Sequence, residues 1–173
     1  PNLSTSLSLP GRHRPYVMAH RGNKVTCPEN TLAAFQCALA EGAAILETDL
    51  HLSADGVFVC IHDATVDRTT DGQGEVAAMT LAQIKALSAA YGRPEFAAER
   101  IPTLTELTDL LPQDVILALE LKTDRFLEPD VCRQLAAELA AAAIRDRTIV
   151  LSFSLSRLQA VQAVAPDMSI GWI

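Results

Sequence analysis

Apolar positions along this chain follow two periods, and the switches between them mark out the elements. An apolar run at 16–19 breaks at His20-Arg21-Gly22, the pattern of a buried strand meeting a loop. After Pro28, Leu32, Phe35 and Leu39 recur at helical spacing, predicting a helix over 31–41 with Asn30 or Thr31 as N-cap and Gly42 closing the far end. Residues 44–52 read as strand, Ala54-Asp55-Gly56 as a turn and 57–61 as strand again, ended by His62-Asp63. The stretch 64–100 is richer in Thr, Asp and Gly and holds one helical piece, capped by Thr80, with Leu81, Ile84 and Leu87 on one side. Thr103-Leu104-Thr105-Glu106 is a capping box that opens a helix ending near Pro112. A strand over 115–122, a helix over 129–142, a strand over 148–153, a helix over 156–164 and a strand beginning near Met168 follow.

Strands alternating with helices predict a parallel sheet covered by helices, an α/β fold. Polar and ionisable residues fall at the ends of successive strands, where (β/α)8 barrels keep their active sites. Such a barrel has eight strands and typically about 250 residues. The expectation is therefore one domain over 16–173 that supplies the first six β/α units and is incomplete at its C-terminus. Residues 1–15 form an N-terminal arm, and 64–100 an insertion after the third strand, long enough to act as a lid.

Composition narrows the class of function. Apolar types make up 49% and charged types 20%, as expected of a globular domain. Lys and Arg number 14 against 21 Asp and Glu, a net charge of -7. That balance argues against nucleic acid or an anionic membrane surface as partner, since both require clustered Lys and Arg. An anionic substrate must be held by a local positive site. No apolar stretch approaches the roughly 20 residues of a membrane span. The four cysteines, Cys27, Cys37, Cys60 and Cys132, form no C-x-x-C pair. They are read as reduced, inert thiols of a cytoplasmic protein, with the periplasm left open and the oligomeric state unassigned.

In a strand, residues two apart share a face, so Glu47, Asp49 and His51 point one way from their strand, and Glu120 and Lys122 one way from theirs. If Glu47, Asp49 and Glu120 converge at a barrel mouth, repulsion and desolvation push their pKa values up, a conflict that a bound divalent cation removes. All-oxygen ligation points to Mg²⁺ or Ca²⁺ rather than zinc. His20, just past the first strand, and His62, just past the third, are candidates to divide proton removal and proton donation. Arg21 and Lys122 offer donors and positive charge suited to a phosphate.

His20-Arg21-Gly22, Pro28-Glu29-Asn30-Thr31, Glu47-x-Asp49, Asp55-Gly56, His62-Asp63, Asp67-Arg68-Thr69-Thr70, Ile101-Pro102-Thr103-Leu104 and Glu120-x-Lys122 occur in this order, and together the chain resembles the glycerophosphodiester phosphodiesterase family. The resemblance implies a TIM-barrel hydrolase that cuts glycerophosphodiesters to sn-glycerol 3-phosphate and an alcohol. It implies Glu47, Asp49 and Glu120 as metal ligands, His20 and His62 as the acid/base pair, and Arg21 and Lys122 as phosphate binders. It further suggests that Asp63 orients His62, that Glu29 and Asn30 shape the site floor, that His51 is not catalytic, and that 64–100 covers the glycerol end of the substrate. The competing readings are a cyclising barrel enzyme of the sphingomyelinase D kind and a non-catalytic barrel that binds phosphodiesters.

Overall fold

A computed structural model describes residue 11 and residues 15–173 of the chain, so the arm expected over 1–15 lies almost wholly outside the described residues. The elements run in the order β1 (Met18–His20), α1 (Leu32–Ala40), β2 (Ile45–Leu52), β3 (Phe58–Cys60), α2 (Leu81–Ala86), α3 (Leu104–Leu110), β4 (Ile116–Leu121), α4 (Pro129–Ala141), β5 (Thr148–Ser152), α5 (Leu155–Val164) and β6 (Ser169–Trp172), with short 3₁₀ turns between them. Five strands pair in parallel in the order β1-β2-β4-β5-β6.

β3 departs from the expected six β/α units. It pairs antiparallel with the end of β2, Leu50 opposite Cys60 and Leu52 opposite Phe58. The reason is connection length. A parallel crossover needs a dozen or more residues, whereas only Ser53 to Val57 separate the two strands, and Gly56 turns the chain there with φ +80°. The described wall of the barrel therefore holds five parallel strands with a hairpin strand attached.

All eight residues of β2 and all six of β4 are buried, as expected of strands covered on both faces. Alternation then separates two environments. Leu46, Leu50, Leu117, Leu119 and Val150 pack outward against Phe35 of α1, Leu104 and Leu107 of α3, Leu135 and Leu139 of α4, and Leu158 and Val161 of α5. This is the main core, where truncating a leucine to alanine costs about 2–5 kcal/mol. The inward face begins with smaller residues, Ala44, Ile45, Ile116 and Ala118, packed with Tyr16, Ile149 and Leu151. One turn of the pleat further along each strand, it carries the acids.

Local signals hold the helices in place. Thr31 caps α1, its hydroxyl accepting from the Ala34 amide, and Thr80 and Thr103 form full capping boxes with Gln83 and Glu106, each cap being worth about 1 kcal/mol. The 64–100 segment is anchored rather than loose, because Val66, Val76, Ile84 and Ala89 form a second small core with Val59, Ile61 and Ile101. Among the described residues no helix is long and apolar enough to cross a membrane.

Candidate active site

The turn after β1 sets the site's first wall. Arg21 and Asn30 both have left-handed backbone, φ 60° and 53°, a conformation that disfavours side chains and concentrates at functional sites. Gly22 between them has φ +74°, and a Cβ there would lie 2.6 Å from the Ala34 carbonyl carbon, so only glycine lets the turn close on α1. The folded turn directs the Arg21 amide at Glu47, 3.0 Å from both its backbone oxygen and Oε2.

Parallel register does the rest. His20 lies beside Glu47, and Asp49 beside Glu120, so these side chains share the inward face at successive levels. Glu47, Asp49 and Glu120 each offer a carboxylate oxygen within 4.8 Å of the others, and they are 4%, 0% and 7% exposed. Two cations reach the group: Lys122 Nζ lies 2.9 Å from Glu120 Oε1 and 3.5 Å from Asp49 Oδ1, and Arg21 Nε lies 3.2 Å from Asp49 Oδ2. Asn30 Nδ2 donates to Asp49 Oδ2 at 3.0 Å and is itself fixed by the Thr48 hydroxyl, which donates to Asn30 Oδ1 at 2.8 Å.

Those contacts leave the cluster short of partners. Asp49 Oδ1 is fully buried without a hydrogen bond, a state that costs a charged acceptor more than the usual 1–3 kcal/mol. Burial, followed by the charge of Asp49, pushes the Glu47 carboxyl up to about 7. Three buried carboxylates that converge, one with an oxygen that accepts no hydrogen bond, fit a hard divalent cation, which binds oxygen ligands and would offset the repulsion.

Of the two histidines, His20 lies against the cluster's acids, and His62 is held by its own neighbours. His20 Nε2 lies 3.9 Å from Glu47 Oε2, and its Nδ1 lies 3.0 Å from Lys24 Nζ. An ammonium can only donate, so Nδ1 of His20 is the acceptor and the neutral ring carries its proton on Nε2. Partial burial, with the charges of Arg21 and Lys24, lowers the pKa of His20 and favours that neutral form. In His62 the same ring nitrogen faces an acceptor instead. Its Nδ1 lies 2.6 Å from Asp63 Oδ1, and the hydrogen bond from Arg68 holds the Asp63 carboxyl down at about 2. An ionised carboxylate can only accept, so His62 carries its proton on Nδ1 and presents Nε2 as a base.

Arg68 lies outside the residues that periodicity singled out, although it falls within the Asp67-Arg68-Thr69-Thr70 motif. Its Nε donates to Asp63 Oδ2 at 2.6 Å, and its two terminal nitrogens donate to Glu29 at 3.0 and 2.8 Å. Arg21 Nη1 donates to the same Glu29 at 3.1 Å, so ion pairs run unbroken from Asp49 through Arg21, Glu29, Arg68 and Asp63 to His62. Burial would raise the Glu29 carboxyl, but Arg68 and Arg21 outweigh it and hold it below its ordinary value. Tyr91 stacks on the Arg68 guanidinium at 5.6 Å. His51 is 6% exposed and places Nε2 3.2 Å from the His62 carbonyl oxygen, so it braces the backbone of that turn.

None of the three acids lines either of the two larger depressions. A depression of about 650 Å³ lies within the 64–100 segment, lined in part by Tyr91, Arg93 and Arg100. A second, of about 440 Å³, runs along β1 beneath His20 and Lys24.

Comparison with known proteins accounts for this arrangement. The chain is 42% identical over 157 residues to a glycerophosphodiester phosphodiesterase of Caldanaerobacter subterraneus subsp. tengcongensis, covering 90% of this chain and 65% of that protein. Among solved structures, a glycerophosphodiester phosphodiesterase from Agrobacterium tumefaciens superposes with a TM-score of 0.81 at 33% identity, covering 90% of this chain and 65% of that one. A phosphodiesterase from Oleispira antarctica, solved in complex with the product sn-glycerol-3-phosphate, superposes with a TM-score of 0.84 at 35% identity, covering 91% of this chain and 65% of that one. The chain thus spans about two thirds of the length of these relatives, and the sheet described above follows their TIM-type fold. Residues 20–172 match the glycerophosphoryl diester phosphodiesterase family, and the chain belongs to that family.

Proposed function

We propose that this protein hydrolyses glycerophosphodiesters to sn-glycerol 3-phosphate and an alcohol, with Glu47, Asp49 and Glu120 holding one divalent cation, Mg²⁺ or Ca²⁺. The observation that carries this reading is the bare, buried Asp49 Oδ1 amid three converging carboxylates. When bound, the cation supplies positive charge to the phosphoryl oxygens, worth several kcal/mol of transition-state stabilisation.

The remaining steps belong to side chains. Lys122 and Arg21 add positive charge at the same rim, and Glu29 and Asn30 fix Arg21 and Asp49 in place. His62, with Asp63 holding its Nδ1–H, is suited to take the proton of the attacking hydroxyl on Nε2. His20 is suited to give a proton to the departing alkoxide from its imidazolium form, returning to the neutral ring whose Nδ1 accepts from Lys24. Each transfer contributes about 10²–10⁴ in rate. Arg68 links Tyr91 of the 64–100 segment to Glu29 and Asp63, which supports that segment as the cover over the glycerol end.

The test is glycerol 3-phosphate release from glycerophosphocholine by wild type, with and without chelator, beside His20→Ala, His62→Ala and Glu47→Ala. Activity abolished by chelator and restored by one of the two cations, with about 10²-fold or greater loss in each histidine variant, is the expected result. Binding without release would leave a non-catalytic barrel. A cyclic phosphate that accumulates as the end product from sphingomyelin would instead mark a cyclising enzyme.

A further inference from the structure

The loop that follows Arg21 folds back along α1. The Asn23 amide donates to the Ala34 carbonyl at 2.9 Å, while its side chain donates to Glu41 Oε2 at 2.8 Å and to Cys37 Sγ at 3.5 Å. Asn23 Oδ1 accepts from the amides of Val25 and Thr26 at 3.1 and 3.2 Å, which fixes the loop's next turn. That turn brings the Thr26 hydroxyl between two thiols, 3.8 Å from Cys27 Sγ and 3.3 Å from Cys37 Sγ. Cys60 and Cys132 are sealed in the apolar core instead, and Cys132 donates to the Phe126 carbonyl at 3.1 Å.

We infer that Cys27 and Cys37 are a disulfide-forming pair, a modification site at which a peroxide-class oxidant ties the loop between His20 and Glu29 to α1. All four thiols are free in the structure, and the inference departs from the expectation that they are inert. It does not depend on the proposed phosphodiesterase activity.

The roles divide by exposure and by partners. Cys37 is half-exposed on α1, within reach of a small oxidant, and its sulfur lies 3.6 Å from Glu41 Oε1. Its thiolate attacks the peroxide, the O–O bond breaks, and Cys37 becomes a sulfenic acid as the first water leaves. Cys27, 7% exposed, is the resolving partner. Its sulfur displaces the sulfenic oxygen, the S–S bond forms, and the second water carries away the Cys27 proton. Two thiols lose two electrons and one peroxide gains them. Burial raises the Cys27 pKa, which suits it to resolution rather than first attack. The strap would replace the Thr26-bridged contact with a covalent one, in the segment that leads from His20 and Arg21 to Glu29 and Asn30.

The experiment uses the full reduced chain treated with stoichiometric hydrogen peroxide and then digested with trypsin and a Glu-specific protease under non-reducing conditions. Cleavage after Lys24, Glu29 and Glu41 isolates residues 25–29 and 30–41, each with one of the two cysteines. The expected product is these two peptides joined, two hydrogens lighter than their sum and separated again by dithiothreitol, with free thiols falling from four to two. Cys60 and Cys132 should remain reduced. The same treatment in guanidinium chloride should give much less of the joined product. Sulfinic acid on Cys37 with Cys27 still a thiol would overturn the inference, as would an equal yield from the unfolded chain.

Discussion

The Glu47–Asp49–Glu120 cluster and the Glu29–Arg68–Asp63 chain are neighbours joined through Arg21, yet they treat their carboxylates in opposite ways. In the chain, Asp63 has both oxygens paired and Glu29 receives both terminal nitrogens of Arg68 along with Arg21. Both acids are held below their ordinary pKa values. In the cluster, one Asp49 oxygen has no hydrogen bond and Glu47 is pushed up to about 7. The first arrangement is scaffolding, since nothing remains to be bound. The second is a demand for a partner, and that contrast separates a binding site from the frame that holds it better than either group's charge count would.

The sharpest way to break the contrast is to remove the demand. Asp49→Asn takes away one of the three converging charges, so the variant should no longer respond to Mg²⁺ or Ca²⁺. At 100 times its dissociation constant a cation stabilises the wild-type chain by about 2.7 kcal/mol, or roughly 5–10 °C in Tm for a domain of this size. Loss of that shift by thermal melting should accompany a fall in glycerol 3-phosphate release of about 10³-fold or more. An undiminished cation-induced shift in Asp49→Asn would sink the proposed ligand set.

A second variant strikes the joint between the two groups. Gly22→Ala places a Cβ 2.6 Å from the Ala34 backbone in a left-handed conformation, so the turn that directs Arg21 at both groups must shift. The expected cost is about 3 kcal/mol, on the scale of backbone strain combined with overpacking. A drop in the urea midpoint at unchanged slope would measure it. Arg68→Ala is milder. It unties Asp63 and Glu29 without touching the acids of the cluster, so kcat should fall about 10- to 100-fold, as when an outer partner that orients a functional ring is lost. KM and the cation-induced melting shift should hold. Arg68→Lys should recover part of the loss, because it restores charge without the forked geometry.

That the cluster is legible in the pattern while the role of Arg68 is not follows from how each is encoded. Period-two alternation placed Glu47 with Asp49 and Glu120 with Lys122, and the sheet register brought the strands together as parallel pairing requires. The capping boxes at Thr80 and Thr103 and the turn at Ala54-Asp55-Gly56 were likewise written locally. Arg68 meets Glu29 across 39 residues of sequence, from a segment without regular periodicity, and only the folded 64–100 excursion brings them together. β3 was readable as the far arm of a hairpin; taking it as a barrel unit overlooked that five residues cannot make a parallel crossover. The thiol pair was hidden for a related reason. Cys27 and Cys37 are ten positions apart on different elements, and the folding of the loop onto Ala34 decides that they meet.

The smallest effect tests the scaffold from the proton side. Asp63 has an ordinary carboxyl value of 3.8 when unfolded and about 2 when folded, because Arg68 hydrogen-bonds its charged form. Between those values the unfolded chain binds more protons than the folded one, so stability falls as pH drops. The contribution of Asp63 is fully present above pH 3.8 and is lost as pH falls through about 2. Asp63 is partly open to solvent, which keeps the contribution small. Other carboxylates titrate in the same range, so the informative quantity is the difference between wild type and Asp63→Asn. Their urea midpoints should differ at pH 6 and converge toward pH 2. A gap that stays constant down to pH 2 would mean that the Arg68 contact gives Asp63 no preference for its ionised form. The Nδ1–H tautomer of His62 would then lose the fixed acceptor from which its role as base is argued.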